Sequence, residues 1–155
     1  MEKIEAYIKY HDPALLPVEQ AHDGEWFDLR AAQDMYISIG EFAMIPLGVS
    51  IQLPEGYEAM VIPRSSTFGR YGLIMTNGVG LIDCAYNGDD DQWWFPCYCL
   101  KGKNYDPRKG QGTQIHKNDR ICQFRIQKQQ PTVQLLEVSK LSNENRGGFG
   151  STGRN

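Results

Sequence analysis

Long hydrophobic runs are missing from this 155-residue chain. No apolar stretch approaches the roughly 20 residues of a membrane-spanning helix, and Met1-Glu2-Lys3-Ile4 has no apolar signal region. A basic excess is missing too. Lys and Arg number 16 against 19 for Asp and Glu, a net charge of −3 with the two signs interspersed. A general nucleic-acid surface would show a basic stripe, so no nucleic-acid partner is expected. An anionic ligand must instead meet local arginines, backbone N–H groups or a bound cation. The four cysteines form no Cys-x-x-Cys pair, and the three histidines are scattered. A zinc site would want closer ligands with Cys or His partners, so the thiols are expected to be reduced and mostly buried. These absences lead to the expectation of a soluble, cytoplasmic protein with no membrane partner.

Helical periodicity is scarce as well. The best helical segment is short, Ser66 to Tyr71, closed by Gly72. What the chain has instead is alternation with period two. Ile4, Ala6 and Ile8 alternate with Glu5, Tyr7 and Lys9; Met35, Ile37 and Ile39 share one face; so do Val49, Ile51 and Leu53. Further strand candidates are 58–62, 73–76, 79–82, 93–100, 120–127 and 132–138. Turn signals recur at the spacing of an all-β sandwich or barrel. Length and the 41% apolar content fit one domain with a real core. Residues 1–140 read as that domain and 141–155 as a flexible glycine-rich arm. The polar stretch 101–114 reads as a surface excursion between strands.

Five segments carry chemistry. In Asn77–Gly88 an apolar run ends on Asp83, Tyr86 follows three residues later, and glycines flank both ends. A carboxylate at the mouth of a hairpin, beside an aromatic ring, suits a small polar ligand with a ring in it. Asp83 can act as a general base if a water lies within hydrogen-bond reach, although an aspartate after a strand is commonly only a turn residue. In Pro63-Arg64-Ser65-Ser66 a serine at a helix start caps free N–H groups, and the arginine offers a forked donor suited to phosphate. Plain capping beside a surface arginine is the ordinary alternative. Gly148 to Gly153 spells G-x-G-x-x-G, but only two residues follow, so the strand–turn–helix of a dinucleotide fold is not available. It suits a flap better: glycines admit phosphates closely, and Phe149 can cover a base. Asp28-Leu29-Arg30-Ala31 and Asp119-Arg120-Ile121-Cys122-Gln123 lie in or beside strands and are weak signals singly.

In this order and spacing the five segments resemble the motifs of the trimeric dUTPase family (deoxyuridine 5'-triphosphate nucleotidohydrolases). The resemblance runs from about residue 26 to the end. It implies an all-β fold, a distorted jelly roll of β-clip type, assembled as a homotrimer whose C-terminal arm completes a neighbour's active site. It implies hydrolysis of dUTP to dUMP and pyrophosphate with Mg²⁺, which limits uracil in DNA and supplies dUMP for thymidylate synthesis. Asp83 would activate the water that attacks the α-phosphorus. Asn77, Gly80, Ile82 and Tyr86 would hold base and sugar, with Phe149, or alternatively Trp93, over the uracil. Arg64, Ser65, Ser66, Gln123, Arg146, Gly150, Ser151 and Thr152 would contact phosphates. Asp28 would reach Mg²⁺ through a metal-bound water, the ion itself being held mainly by the substrate phosphates. A dCTP deaminase of the same fold would want a glutamate near the hairpin, and residues 89–95 contain none. An added regulatory protein partner, met by the 101–114 loop, is a further reading.

Overall fold

The computed structural model describes residues 2–21 and 24–150. The elements, in chain order, are β1 (Tyr7–Tyr10), β2 (Glu19–Gln20), β3 (Phe27–Arg30), β4 (Met35–Ser38), β5 (Phe42–Pro46), β6 (Val49–Gln52), β7 (Tyr57–Pro63), α1 (Thr67–Tyr71), β8 (Leu73–Met75), β9 (Gly80–Ile82), β10 (Trp94–Cys99), β11 (Asn104–Asp106), β12 (Gly110–Ile115) and β13 (Arg120–Lys128). The strands form a five-stranded sheet β2-β3-β13-β7-β9, three-stranded sheets β5-β10-β8 and β11-β12-β4, and a β1-β6 pair. Every pairing is antiparallel. The fold is an all-β, distorted jelly roll, as the period-two pattern leads one to expect.

Alternation becomes burial because successive side chains point to opposite faces of a strand. Ile45, Leu47, Val49, Val61, Leu73, Phe95 and Ile115 fill the interior. Aromatic stacking ties it together. Phe124 on β13 lies 5.2 Å from Phe27 and takes the edge of Trp93 at 5.1 Å. Cys97, Cys99 and Cys122 are buried free thiols. Burial pushes the Cys97 thiol up to about 12 and raises Cys122 further in the same direction.

Four expectations need correction. Residues 132–138 do not form a strand: they join no ladder, and Leu135 is 91% exposed. Strand hydrophobicity is present there, but this single chain offers it no partner edge. The 101–114 stretch is not a plain excursion. It is the β11–β12 hairpin, and β12 joins β4 through Gly112↔Ser38 to Ile115↔Met35. A Cβ at residue 112 would sit 2.4 Å from the Ile37 carbonyl, so only glycine admits that approach. The first strand is shifted from 4–8 to Tyr7–Tyr10, in register with β6. Finally, no serine side chain caps α1. Ser66 is the N-cap without a side-chain bond. The buried Thr67 organises the corner instead: its Oγ1 accepts the Arg64 N–H at 2.9 Å and donates to the Ile121 carbonyl at 2.8 Å.

Candidate active site

Three of the five segments meet at one end of the large sheet. Gln123 on β13 pairs with Asp28 on β3 and with Ile62 on β7, and Arg64 follows directly after β7. Asp28 is 3% exposed and faces two guanidinium groups. Arg64 Nε stands 3.0 Å from its Oδ1, and Arg120 Nη1 donates to Oδ2 at 3.3 Å. The Arg64 contact is an ion pair without hydrogen-bond geometry, so Oδ1 accepts no hydrogen bond among the described residues. Gln123 is itself held in place, its Nε2 donating to the Pro63 carbonyl at 3.2 Å. Among the described residues, the hydroxyls and backbone N–H groups of Ser65 and Ser66 have no hydrogen-bond acceptor. The corner therefore concentrates fixed donors and positive charge, which is what an oxyanion needs.

The fourth segment builds a separate cavity. Asn77, Gly80, Ile82 and Tyr86 line a space of about 210 Å³ together with Val61, Met75, Gln92 and Trp94. The flanking strands do not pair with each other, as a simple hairpin would. β8 belongs to the β5-β10-β8 sheet and β9 pairs with β7, so the turn at 76–79 spans two sheets. Gly80 sits against Val61; a Cβ there would lie 3.2 Å from the Met75 methyl and 3.3 Å from Val61 Cβ. At the rim, Asp83 Oδ1 accepts the N–H groups of Ala85 at 2.8 Å and Tyr86 at 3.2 Å, an Asx turn. Its Oδ2 accepts no hydrogen bond among the described residues, so one oxygen is left to take a proton. The Tyr86 hydroxyl donates to the Gln92 carbonyl at 2.7 Å.

Trp93, the alternative ring for the base, is 1% exposed, packs on Phe124 and is among the residues lining the cavity. Arg146, Phe149 and Gly150 lie on the exposed C-terminal segment and are not among the residues lining that cavity. Ser151 and Thr152 lie outside the described residues. Sequence reading took Arg120 for an ordinary exposed strand residue and gave it no place in the site; the structure pairs it with Asp28, next to a register shift between Arg120 and Cys122. A bulge breaks the alternation, so period two assigns Arg120 to the same face as the buried Cys122, while its side chain remains 47% exposed.

The dUTPase family model matches residues 15–91. The chain is 51% identical over 146 residues to the SPbeta prophage-derived deoxyuridine 5'-triphosphate nucleotidohydrolase YosS of Bacillus subtilis (strain 168), covering 94% of this chain and 96% of the relative. The chain belongs to the dUTPase family. The deoxyuridine 5'-triphosphate nucleotidohydrolase of Finegoldia magna (strain ATCC 29328 / DSM 20472 / WAL 2508) is 34% identical over 155 residues, with 97% and 99% of the two chains covered. Among solved structures, the Staphylococcus bacteriophage 80alpha dUTPase with dUPNHPP superposes with a TM-score of 0.78 at 20% identity, covering 97% of this chain and 99% of that one. This last likeness concerns the fold. Membership of the dUTPase family makes the chain an enzyme of nucleotide metabolism, a nucleotidohydrolase.

The dUTPase family uses a divalent cation, and the residues present fit one particular mode of holding it. Among the described residues, no group of three or more His, Cys, Asp or Glu side chains converges on a metal position. Asp28 is the one buried carboxylate at the arginine corner, with an oxygen, Oδ1, that accepts no hydrogen bond among the described residues. That set suits an ion ligated by phosphate oxygens and water, with Asp28 receiving a hydrogen bond from the water shell.

Proposed function

We propose that the protein hydrolyses dUTP to dUMP and pyrophosphate with Mg²⁺, at sites assembled between the chains of a homotrimer. The observation that carries this reading is the cavity lined by Asn77, Gly80, Ile82 and Tyr86 with the Asp83 carboxylate at its rim. In this reading the uracil edge pairs with backbone around Asn77. The Gly80, Val61 and Met75 contacts leave no space for the thymine methyl. Cytosine reverses donor and acceptor and leaves buried polar groups unpaired. Tyr86 packs on the deoxyribose where a 2′-hydroxyl would clash.

Asp83 Oδ2 takes a proton from a water whose oxygen attacks the α-phosphorus. The new P–O bond forms on that face while the bond to the bridging oxygen breaks, and pyrophosphate leaves. Bound Mg²⁺ supplies charge neutralisation on the phosphate oxygens. Arg64, Ser65, Ser66, Gln123 and Arg120 grip the phosphate chain, and Asp28, whose Oδ1 accepts no hydrogen bond among the described residues, would accept one from the water around a bound cation. Arg146, Phe149, Gly150, Ser151 and Thr152 belong to a flap, with Phe149 covering the uracil.

Physical spacing argues for more than one chain per site. Ile82 stands opposite Ala59, whereas Arg64 follows five residues further along, about 17 Å away at strand rise. Asp83 and the phosphate corner of one chain therefore lie at opposite ends of β7, beyond the reach of one triphosphate. A neighbouring chain closes the gap. Pyrophosphate release across dUTP, dCTP, dTTP and UTP tests the assignment. dUTP is expected to be the strongly preferred substrate, and equal hydrolysis of dTTP would sink the steric account of the cavity. Ammonia release from dCTP would favour a deaminase instead. A regulatory protein partner at the β11–β12 hairpin stays a secondary proposal, supported by the exposed Tyr105 and lysines there.

A further inference from the structure

The acidic run Asp89-Asp90-Asp91 that follows Tyr86 forms a closed turn. The Gly88 N–H donates to Asp91 Oδ2 at 2.8 Å, and the Asp91 N–H donates back to the Gly88 carbonyl at 3.1 Å. The Gln92 N–H donates to the Asp90 carbonyl at 2.9 Å. The turn delivers Gln92 to a place where both ends of that residue are engaged. Its carbonyl accepts the Tyr86 hydroxyl at 2.7 Å. Its side-chain Oε1 accepts the Gly48 N–H at 3.0 Å.

Gly48 is a rigid anchor. Its φ is +67°, and a Cβ there would meet Ala32 Cβ and Leu15 Cδ2, each at 2.9 Å. The neighbouring residues are fixed as well: the Leu47 N–H donates to the Trp93 carbonyl at 3.0 Å, and the Trp93 N–H donates to the Val49 carbonyl at 2.9 Å. A continuous chain of contacts thus runs from the packed β5–β6 turn through Gln92 to the phenol of Tyr86. Burial, and after it the charge of Asp91, raise the Tyr86 phenol above its usual range, so it stays a donor at neutral pH.

We infer that Gln92 is a positioning residue for sugar selectivity: its side chain pins the carbonyl that holds the Tyr86 ring in place. The inference rests on the proposed role of Tyr86 at the deoxyribose. A ring tethered at its hydroxyl cannot tilt away to admit a 2′-hydroxyl, whereas an untethered ring can. Small misplacements of positioning groups have large kinetic effects.

The test compares kcat/KM for dUTP and UTP in wild type, Gln92→Leu, Gln92→Glu and Tyr86→Phe. Gln92→Leu keeps the length and removes the acceptor; the dUTP preference should fall by roughly 10-fold. Gln92→Glu keeps an acceptor oxygen for the Gly48 N–H and should restore most of the preference. Tyr86→Phe leaves the anchor intact and should lose the preference to a similar extent, and combining it with Gln92→Leu should add little. A purely structural Gln92 would lower the melting temperature of Gln92→Leu and leave the dUTP/UTP ratio unchanged, which overturns the inference. If Gln92→Leu does not fold, an unchanged ratio in Tyr86→Phe overturns it equally, and a lost ratio supports it. Wild-type protein that fails to hydrolyse dUTP sinks the proposed function itself. Hydrolysis with an unmoved ratio in the variants sinks only the role of Gln92.

Discussion

One oxygen of the Asp83 carboxylate holds its turn together, and the other, the proposed proton acceptor, accepts no hydrogen bond among the described residues. That division makes Asp83→Asn an informative change. The amide oxygen still accepts the Ala85 and Tyr86 N–H groups, so the turn should persist. The base is gone, and pyrophosphate release from dUTP should drop by about 10²- to 10⁴-fold with the thermal midpoint nearly unchanged. Retained activity would remove Asp83 from the base role. The thiols give a second residue-scale expectation. Cys97 and Cys122 are buried and held protonated well above neutral pH, whereas Cys84 is partly exposed. Reactivity follows thiolate and access. Alkylation of native protein at pH 8, read by peptide mass, should mark Cys84 first and leave Cys97 and Cys122 for the unfolded state. The sequence alone marked an acid after an apolar run and a tyrosine at a glycine-flanked turn, and the structure brings these two to one rim; their proposed roles came from the resemblance. Arg120 read as an ordinary exposed strand residue, because its contact with Asp28 is 92 residues away in sequence. Gln92 is engaged through its own carbonyl, which no side-chain pattern announces.

Elements were legible where alternation and burial agree. β7 and β13 bury alternating side chains on a face packed against the core, and both are visible as period-two runs. The helix was legible as a short stretch ending at Gly72, but its capping was not, because Thr67 acts through a contact with Ile121 that lies 54 residues away in sequence. Gly72 itself can be tested. Its φ is +66°, and a Cβ would fall 1.9 Å from the Lys101 carbonyl oxygen. Gly72→Ala must shift backbone and should cost about 1–3 kcal/mol, seen as a lower denaturation midpoint. The glycine-rich end behaves oppositely. Deleting residues 146–155 removes no buried contact among the described residues, so the melting temperature should hardly move while dUTP turnover falls sharply. A large loss of thermal stability on that deletion would make the arm a structural element rather than a flap.

At the scale of the whole molecule, the Asp83 rim and the Arg64 corner lie at opposite ends of β7, and in the proposed function each is half of a site. Order and spacing of the five segments alone say nothing about whether one chain can unite them; the shared site was expected only because the resemblance implies a homotrimer. Complementation decides it. Asp83→Asn and Arg64→Ala proteins should each be nearly inactive, and mixing them under conditions of subunit exchange should recover part of the pyrophosphate release. No recovery after proven exchange would place the whole site within one chain. The apolar tail points the same way. Leu135 and Leu136 are exposed in the single chain, and burying such side chains is worth about 1.5–3 kcal/mol each. Replacing both by serine should reduce the assembled mass in light scattering and take activity with it.

The turn at residues 76–79 ties a strand of one sheet to a strand of another, so the cavity proposed for the base has one wall on each. Trp93 lines that cavity and leans on Phe124, which does not. On the proposed function, a lineage could retune which pyrimidine it accepts by changing the bulk of Phe124, a residue outside the lining. Selectivity, on this plan, is inherited through the packing as much as through the lining.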